Sequence, residues 1–322
     1  MAPRRSALIR TAVVGVGYLG RFHAQKYAAL PNSRLVGIAD PAEGARSRVA
    51  AELGVAGYAD YRELLGSVDA VSIVTPTASH YEVAKAFLEA GAHVLVEKPM
   101  TVTIAEGEGL IEIAARAKRI LQVGHLERFN AAVLAVQPAL TVPRFIESAR
   151  LAPFKHRGTD VDVVLDLMIH DIDLILSIVR SRVVSVDAIG SSVFSKEIDI
   201  ANARLRFANG CVANATASRV SLKTERKLRL FQDDAYMSLD LQQKILTVIR
   251  KGAGVGTDGM PQVAIEENTY EQGDALKSEI EAFLEAVAGG QPPPVTGEDG
   301  LLALSTAVSI AEQVASSMRK FS

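Results

Sequence analysis

The sequence predicts an α/β chain of two domains, a Rossmann-type doubly wound parallel sheet followed by an α+β domain with a large, mostly antiparallel open sheet. Three observations predict it. A G-x-G-x-x-G turn, Gly15-Val16-Gly17-Tyr18-Leu19-Gly20, is entered from the apolar run 11–14, as where a strand hands over to a helix that receives a pyrophosphate. Short apolar runs then alternate with helical periodicity to about residue 124, the rhythm of a parallel sheet with crossover helices. Beyond that point strand-like runs follow one another after a single apolar helix, the pattern of an antiparallel sheet with helical cover. A chain of 322 residues is too long for one core and divides here into 1–124 and 125–322.

In order, 19–30 reads as a helix ended by Pro31-Asn32, and 34–40 as a second buried strand ending in Asp40, 20 residues beyond Gly20. Helices over 42–53 and 61–65, a strand over 70–74, a helix over 79–90 closed by Gly91, a strand over 93–96, a helix over 103–117 and a strand over 120–123 complete the first domain. In the second, 144–150 is a strand and 161–179 a long apolar helix, followed by strands over 183–189, 198–207, 211–220, 227–231, 236–241 and 245–250. The segment 251–261 has four glycines in eleven residues and reads as a loop. A helix over 278–288 is broken by Gly289-Gly290-Gln291-Pro292-Pro293-Pro294. The last helix, 301–318, is free to pack back near the first domain.

Composition narrows the function. Lys+Arg 35 against Asp+Glu 37 leaves a formal charge of -2, which gives no general attraction for nucleic acid or an anionic membrane surface. Cys211 is the one cysteine, so neither an intramolecular disulfide nor a multi-cysteine metal cluster forms, and a cytoplasmic setting is expected. The start, Met1-Ala2-Pro3-Arg4-Arg5 before an apolar run, imitates a secretory leader, but Arg10 interrupts that run and Arg21 and His23 close it. A buried strand explains it better. No uncharged apolar run reaches the ~18 residues of a membrane helix.

The residues that could carry chemistry lie at strand ends and on one helix. Asp40, at the end of the second strand, suits the adenosine ribose hydroxyls and would repel a 2′-phosphate, which favours NAD over NADP; its alternative is the N-cap of the helix after Pro41. Thr75-Pro76 with His80, and Glu97-Lys98-Pro99, sit where a ligand lies across the carboxyl ends of the strands. Lys98 there would have its pKa lowered by partial desolvation and by a positive nicotinamide ring, unless it is only a surface lysine. Helical spacing puts Asp162, Asp166, His170, Asp173 and Ser177 on one stripe of an otherwise aliphatic helix. Such a stripe faces water or lines a cleft, and so apolar a helix favours the cleft. Asp166 and His170 at i, i+4 can hydrogen-bond as a general acid/base pair. A metal would need a third ligand that the sequence does not show, so none is expected.

Together these motifs, with Gly124-His125 and Arg128-Phe129-Asn130, resemble the glucose-fructose oxidoreductase, inositol dehydrogenase and MocA family (Gfo/Idh/MocA), in order and spacing along nearly the whole chain to Pro292–Gly300. One departure is Ala131, where many members carry proline. The resemblance implies an NAD(P)-dependent oxidoreductase of sugars or cyclitols, with the substrate between the nucleotide domain and the second domain's sheet, and with homodimers or homotetramers formed through that sheet. It implies Lys98 and His170 as the catalytic pair with Asp166 their neighbour. It assigns cofactor binding to Gly15, Gly17, Tyr18, Leu19, Gly20, Asp40, Thr75, Pro76, His80, Glu97, Lys98 and Gln122. It assigns substrate binding to Lys98, His125, Arg128, Asn130, Asp166, His170 and Arg219. Stretches 122–130, 165–176 and 217–227 are further similar to bacterial members that oxidise UDP-N-acetylglucosamine at C3, ahead of amination toward a diamino sugar of lipid A. There the cluster Arg219, Lys223, Arg226, Lys227 and Arg229 would face a diphosphate, or else be a solvated strand edge. Alternatives are a dehydrogenase of a free sugar or inositol, a member that recycles its bound NAD with a second substrate such as 2-oxoglutarate, and a non-catalytic dinucleotide sensor.

Overall fold

A computed structural model describes residues 8–154, 161–255, 261–271 and 273–321. Contacts divide the chain into two compact units, 1–126 with Asp274–Leu301 and Glu127–Gly273 with Leu302–Ser322.

The first unit is built on β1 (Ile9–Val14), β2 (Ser33–Ala39), β3 (Ala56–Tyr58), β4 (Ala70–Ile73), β5 (His93–Glu97) and β6 (Leu121–Gly124). They lie in the order β3-β2-β1-β4-β5-β6, all parallel. The order reverses at β1 and β4, and the carboxyl ends of those two strands form the crevice where such sheets bind ligands. Between the strands run α1 (Tyr18–Ala29), α2 (Glu43–Leu53), α3 (His80–Glu89) and α4 (Ile104–Ala117). Val13, Ala70, Val94 and Leu95 are fully buried because helices cover both faces. β3 is too short and too exposed to leave a hydrophobic signature, and the sequence reading missed it.

The second unit contains α5 (Ala131–Val136), β7 (Phe145–Leu151), α6 (Ile169–Val179) and β8 (Val183–Ser191), β9 (Ile200–Phe207), β10 (Val212–Ser218), β11 (Glu225–Phe231), β12 (Ala235–Asp240), β13 (Ile245–Val255) and β14 (Pro261–Thr269). The sheet order is β14-β13-β12-β11-β7-β10-β9-β8. Among the described residues, β7 and β10 pair in parallel and the other neighbouring strands pair antiparallel. Period-two alternation puts Ile146, Ala203, Ala213, Leu228, Met237 and Leu246 on one face, under α6 and part of the last helix. The glycine-rich segment read as a loop is strand as far as Val255 and resumes as strand at Pro261; ladder pairing to a neighbouring strand overrides the weak strand propensity of glycine here.

α7 (Ala275–Gly289) starts three residues before the sequence reading placed it, with Asp274 accepting from Lys277 N–H at its N-terminus. Its apolar stripe, Leu276, Ile280, Phe283 and Leu284, is buried with Val13, Tyr27 and Leu95 in the core of the first unit. Each such side chain contributes about 1.5–3 kcal/mol by leaving water, which brings the chain back to a unit it left at residue 126. α8 (Gly297–Phe321) begins earlier than expected, since Asp299 accepts from Thr296 N–H and Oγ1. The segment that rejoins the first unit is therefore Asp274–Leu301, while most of the last helix belongs to the second. Gly297–Arg319 of α8 is long and apolar enough to cross a membrane by length and composition, yet Ala303, Leu304, Ala307, Ile310 and Val314 are buried, four of these in the second unit's main cluster.

Candidate active site

The first unit presents a dinucleotide cradle. Gly15 has φ 84°, and a Cβ there would lie 2.6 Å from the Val74 carbonyl oxygen. A Cβ on Gly20 would collide with the carbonyl oxygen of Gly15, whereas one on Gly17 would meet nothing within 4 Å. The first and third glycines are thus demanded by the fold, and the second leaves open space. Gly17 is also the N-cap of α1 and supplies no side-chain acceptor, so the first-turn N–H groups and the helix dipole suit phosphates. The buried Thr75 hydroxyl, just beyond β4, has no partner among the described residues. These features fit a pyrophosphate and nicotinamide lying across the switch point. Tyr18 is exposed and Leu19 half-buried at the mouth of the turn.

The N-cap of α2 is Ala42, with no side-chain cap bond, so Asp40 does not take the capping role open to it from sequence. Its Oδ2 accepts from Val16 N–H at 2.8 Å, and its Oδ1 from Ala42 N–H at 2.8 Å. A carboxylate has about four acceptor positions, so ribose hydroxyls are still accommodated. Three of the residues expected at the cofactor have partners within this unit. His80 is buried with Nδ1 2.9 Å from the Pro99 carbonyl and Nε2 2.8 Å from the Thr75 carbonyl, tying Thr75-Pro76 to the Lys98-Pro99 turn. Burial lowers its pKa, against the opposing effect of both carbonyls. Gln122 is fully buried and donates to the Glu279 carbonyl at 3.2 Å. Glu97 is hydrogen-bonded to His23, 3.2 Å away. Lys98 follows Glu97 through a half-buried turn whose Lys98-Pro99 bond is cis.

The second unit carries the helix that bears Asp166 and His170. Where a regular helix was expected from residue 161, Val164–Met168 is a π-helical turn that runs into α6. Asp162 Oδ1 caps it, accepting from Val164 N–H at 2.8 Å and Leu165 N–H at 2.9 Å. Burial raises the Asp162 pKa, and the nearby Asp166 adds to the rise. Widened turns of this kind favour functional positions. The expected stripe divides there: Asp166 and His170 are half-buried, whereas Asp173 is buried and held by Arg128 at 2.7 and 2.8 Å.

Several residues assigned to the substrate are fastened inside this unit. Arg128 makes that bidentate bond to Asp173, one turn beyond His170. Asn130 caps α5 through Ala132 N–H and donates to the Leu241 carbonyl at 2.8 Å. Arg219 is buried; it reaches Asp199 at 2.8 Å, the Val161 carbonyl at 2.6 Å and the Ile198 carbonyl at 3.1 Å. Asp199 in turn accepts from Val193, Phe194 and Ser195 N–H. Arg219 therefore anchors the segment that leads into the helix bearing Asp166 and His170, which accounts for it without a diphosphate. Of its basic neighbours, Lys223, Arg226 and Arg229 pair with Glu225, Glu127 and Glu147. His125, at the end of the first unit, is buried.

Sequence reasoning missed a buried ionic group beside this helix. Arg150 bonds Asp171 at 2.8 and 3.1 Å and Glu127 at 3.0 Å. Burial works against the guanidinium's charge, but Asp171 and Glu127 together hold its pKa above the ordinary value. A signal existed, since Arg150 falls on the inward register of β7 with Ile146 and Ser148, where a charge needs a partner.

A doubly wound sheet carrying this cradle defines a dinucleotide-binding oxidoreductase. The chain belongs to the Gfo/Idh/MocA family. The family model described as "Oxidoreductase family, NAD-binding Rossmann fold" matches residues 9–125, and the GFO/IDH/MocA C-terminal domain matches 123–237. The UDP-N-acetylglucosamine 3-dehydrogenase of Acidithiobacillus ferrooxidans is 42% identical over 94% of this chain and 96% of its own. A solved structure of that enzyme superposes with a TM-score of 0.90, covering 95% of this chain and 97% of that one. The myo-inositol 2-dehydrogenase of Thermotoga maritima is 28% identical over 92% of this chain and 93% of its own. The chain is accordingly an NAD-binding oxidoreductase acting on CH–OH groups.

Proposed function

We propose that the protein oxidises a secondary alcohol of a nucleotide sugar, UDP-N-acetylglucosamine at C3, with NAD. The observation that carries this reading is the whole-length likeness to the Acidithiobacillus enzyme, joined to a cradle with open space at Gly17 and an acid/base set on the second unit. NAD, when bound, accepts the hydride. His170 takes the hydroxyl proton, with Asp166 orienting its imidazole. Lys98 hydrogen-bonds the same oxygen as carbonyl character develops. In this reading the first unit binds NAD through Gly15, Gly17, Gly20, Asp40 and Thr75, and the second binds the sugar.

We also infer a homodimer or homotetramer in the cytoplasm. The face of the second sheet away from α6 carries the packed rings of Phe145, Phe231 and Tyr236. It also carries Val263 and Ile265, 59% and 62% exposed. An apolar patch set among charged side chains suits an isologous contact.

The test is incubation of purified protein with NAD and UDP-N-acetylglucosamine, free N-acetylglucosamine or myo-inositol. A rise in NADH absorbance with the nucleotide sugar and a 3-keto product by NMR are expected. Turnover with inositol alone, or with no alcohol while NAD binds, overturns the reading.

A further inference from the structure

The carboxylate of Glu97 is gripped from two sides one residue before Lys98. On one side is His23, fully buried on α1, with Nε2 3.2 Å from Glu97 Oε1. On the other is Gly124, which pairs with Glu97 across β5 and β6. A Cβ on Gly124 would lie 2.9 Å from Glu97 Cδ and Oε1 and 3.0 Å from Oε2, so an added side chain would have to push the carboxylate, the free end of the Glu97 side chain, out of its place. Glu97 Oε2 accepts from the Lys98 N–H at 3.3 Å. Buried Glu279 on α7 completes the group: a donor atom of each of His23, Glu97 and Glu279 lies within 4.8 Å of the others. α1, β6 and α7, remote in sequence, thus converge on one carboxylate. His80 fastens the far side of the same turn through the Pro99 carbonyl.

We propose that His23 and Gly124 are positioning residues for Lys98: they fix the Glu97 carboxylate, and through it the backbone from which the lysine amine reaches the reacting oxygen. The proposal rests on the reading of Lys98 as catalytic. Catalytic geometry is steep in distance, and a displacement of about 1 Å costs on the order of 10²-fold in rate.

The experiment compares His23→Leu, His23→Gln, Gly124→Ala and Lys98→Met in the full chain with NAD and UDP-N-acetylglucosamine. His23→Leu and Gly124→Ala are expected to lower kcat on the order of 10²-fold and to move the pH profile of kcat. KM for the sugar and Kd for NAD should stay within about threefold of wild type, less than 1.4 kcal/mol. His23→Gln, which keeps a donor, is expected to recover most of the loss. The double variant His23→Leu/Gly124→Ala should be no worse than the poorer single one, because both act through Glu97. If His23→Leu does not fold, Gly124→Ala decides alone, its backbone φ being ordinary. An unchanged kcat and pH profile in a folded variant, or a loss confined to NAD affinity, overturns the proposal while Lys98→Met stays inactive. An active Lys98→Met instead removes the reading beneath it.

Discussion

Gly17→Ala separates a cofactor cradle from an ordinary strand-to-helix turn. Gly17 has a negative φ of -62°, and its Cβ would meet nothing within 4 Å. Stability of the free protein should therefore change by no more than about 0.5 kcal/mol, as for a substitution that touches nothing. The second glycine of such a turn is small so that the backbone can approach a pyrophosphate. A methyl group there holds the phosphates off the first-turn N–H groups of α1. Loss of that charge-assisted contact should weaken NAD by roughly 10- to 100-fold, about 1.4–2.8 kcal/mol. Gly20→Ala is the control, because its Cβ is driven into the Gly15 carbonyl. Overpacking of that kind costs about 1–3 kcal/mol or more and outweighs the ~1 kcal/mol of helix propensity alanine brings. Thermal unfolding and calorimetric titration with NAD read the two effects apart. Gly17→Ala should keep its midpoint and lose affinity, and Gly20→Ala should lose its midpoint first. A Gly17→Ala protein that binds NAD as tightly as wild type would refute the cradle.

Lys98→Met and His170→Asn, each folded and binding NAD, should lose at least 10²-fold in kcat, measured as initial NADH formation; near-normal turnover would dismiss their roles. Arg150→Ala strands Asp171 in the core and should cost about 3–5 kcal/mol by denaturant unfolding, and a loss under 1 kcal/mol would mean that water reaches the pair. Arg219→Ala should cost a similar amount and should raise KM for the nucleotide sugar no more than for any smaller accepted sugar alcohol; a selective rise would restore its assignment to the diphosphate. His93 contributes part of the pH dependence: its Nδ1 accepts from the Ile120 N–H at 2.9 Å, and burial, then the Arg119 charge, lower its pKa. The unfolded state then binds the proton first as pH falls, so this stabilisation is present above about pH 6.5 and is lost below it. The unfolding midpoint of wild type should fall more steeply than that of His93→Gln as pH drops below about 6.5, and parallel curves would contradict this.

The alternating part of the fold was legible because each buried strand and its crossover helix leave their own period in the sequence. Gly15 and Gly20 were readable because the turn leaves no room for a Cβ at either, whereas Gly17 was readable only as part of the motif's spacing. The return of Asp274–Leu301 to the first unit was not, because the α7 stripe of Leu276, Ile280 and Phe283 says that the helix is buried but not against which core. Side-chain roles were least legible. Arg128, Asn130 and Arg219 have the residue types of ligand contacts, yet their donors meet acceptors inside the protein. An arginine fork fits an internal carboxylate as well as a phosphate, so residue type alone could not choose.

That internal use of charge explains how so apolar a helix can carry Asp166 and His170 at half-buried positions. α6 carries Asp171 and Asp173 on buried positions, each of which would cost several kcal/mol if left unpaired. Arg150 and Arg128 neutralise them from β7 and from the turn before α5. Arg128 grips Asp173 bidentately, one nitrogen to each oxygen, while two Arg150 nitrogens share Asp171 Oδ1, and both pairs resist rotation of the helix about its axis. His170 precedes Asp171 directly, so the rotation that seats the two ion pairs also sets where its imidazole projects. The π turn before it, capped by Asp162, then displaces Asp166 from the register a regular helix would give it. Asp173→Asn should consequently reduce kcat with little change in NAD affinity, even though Asp173 itself is buried beneath the site.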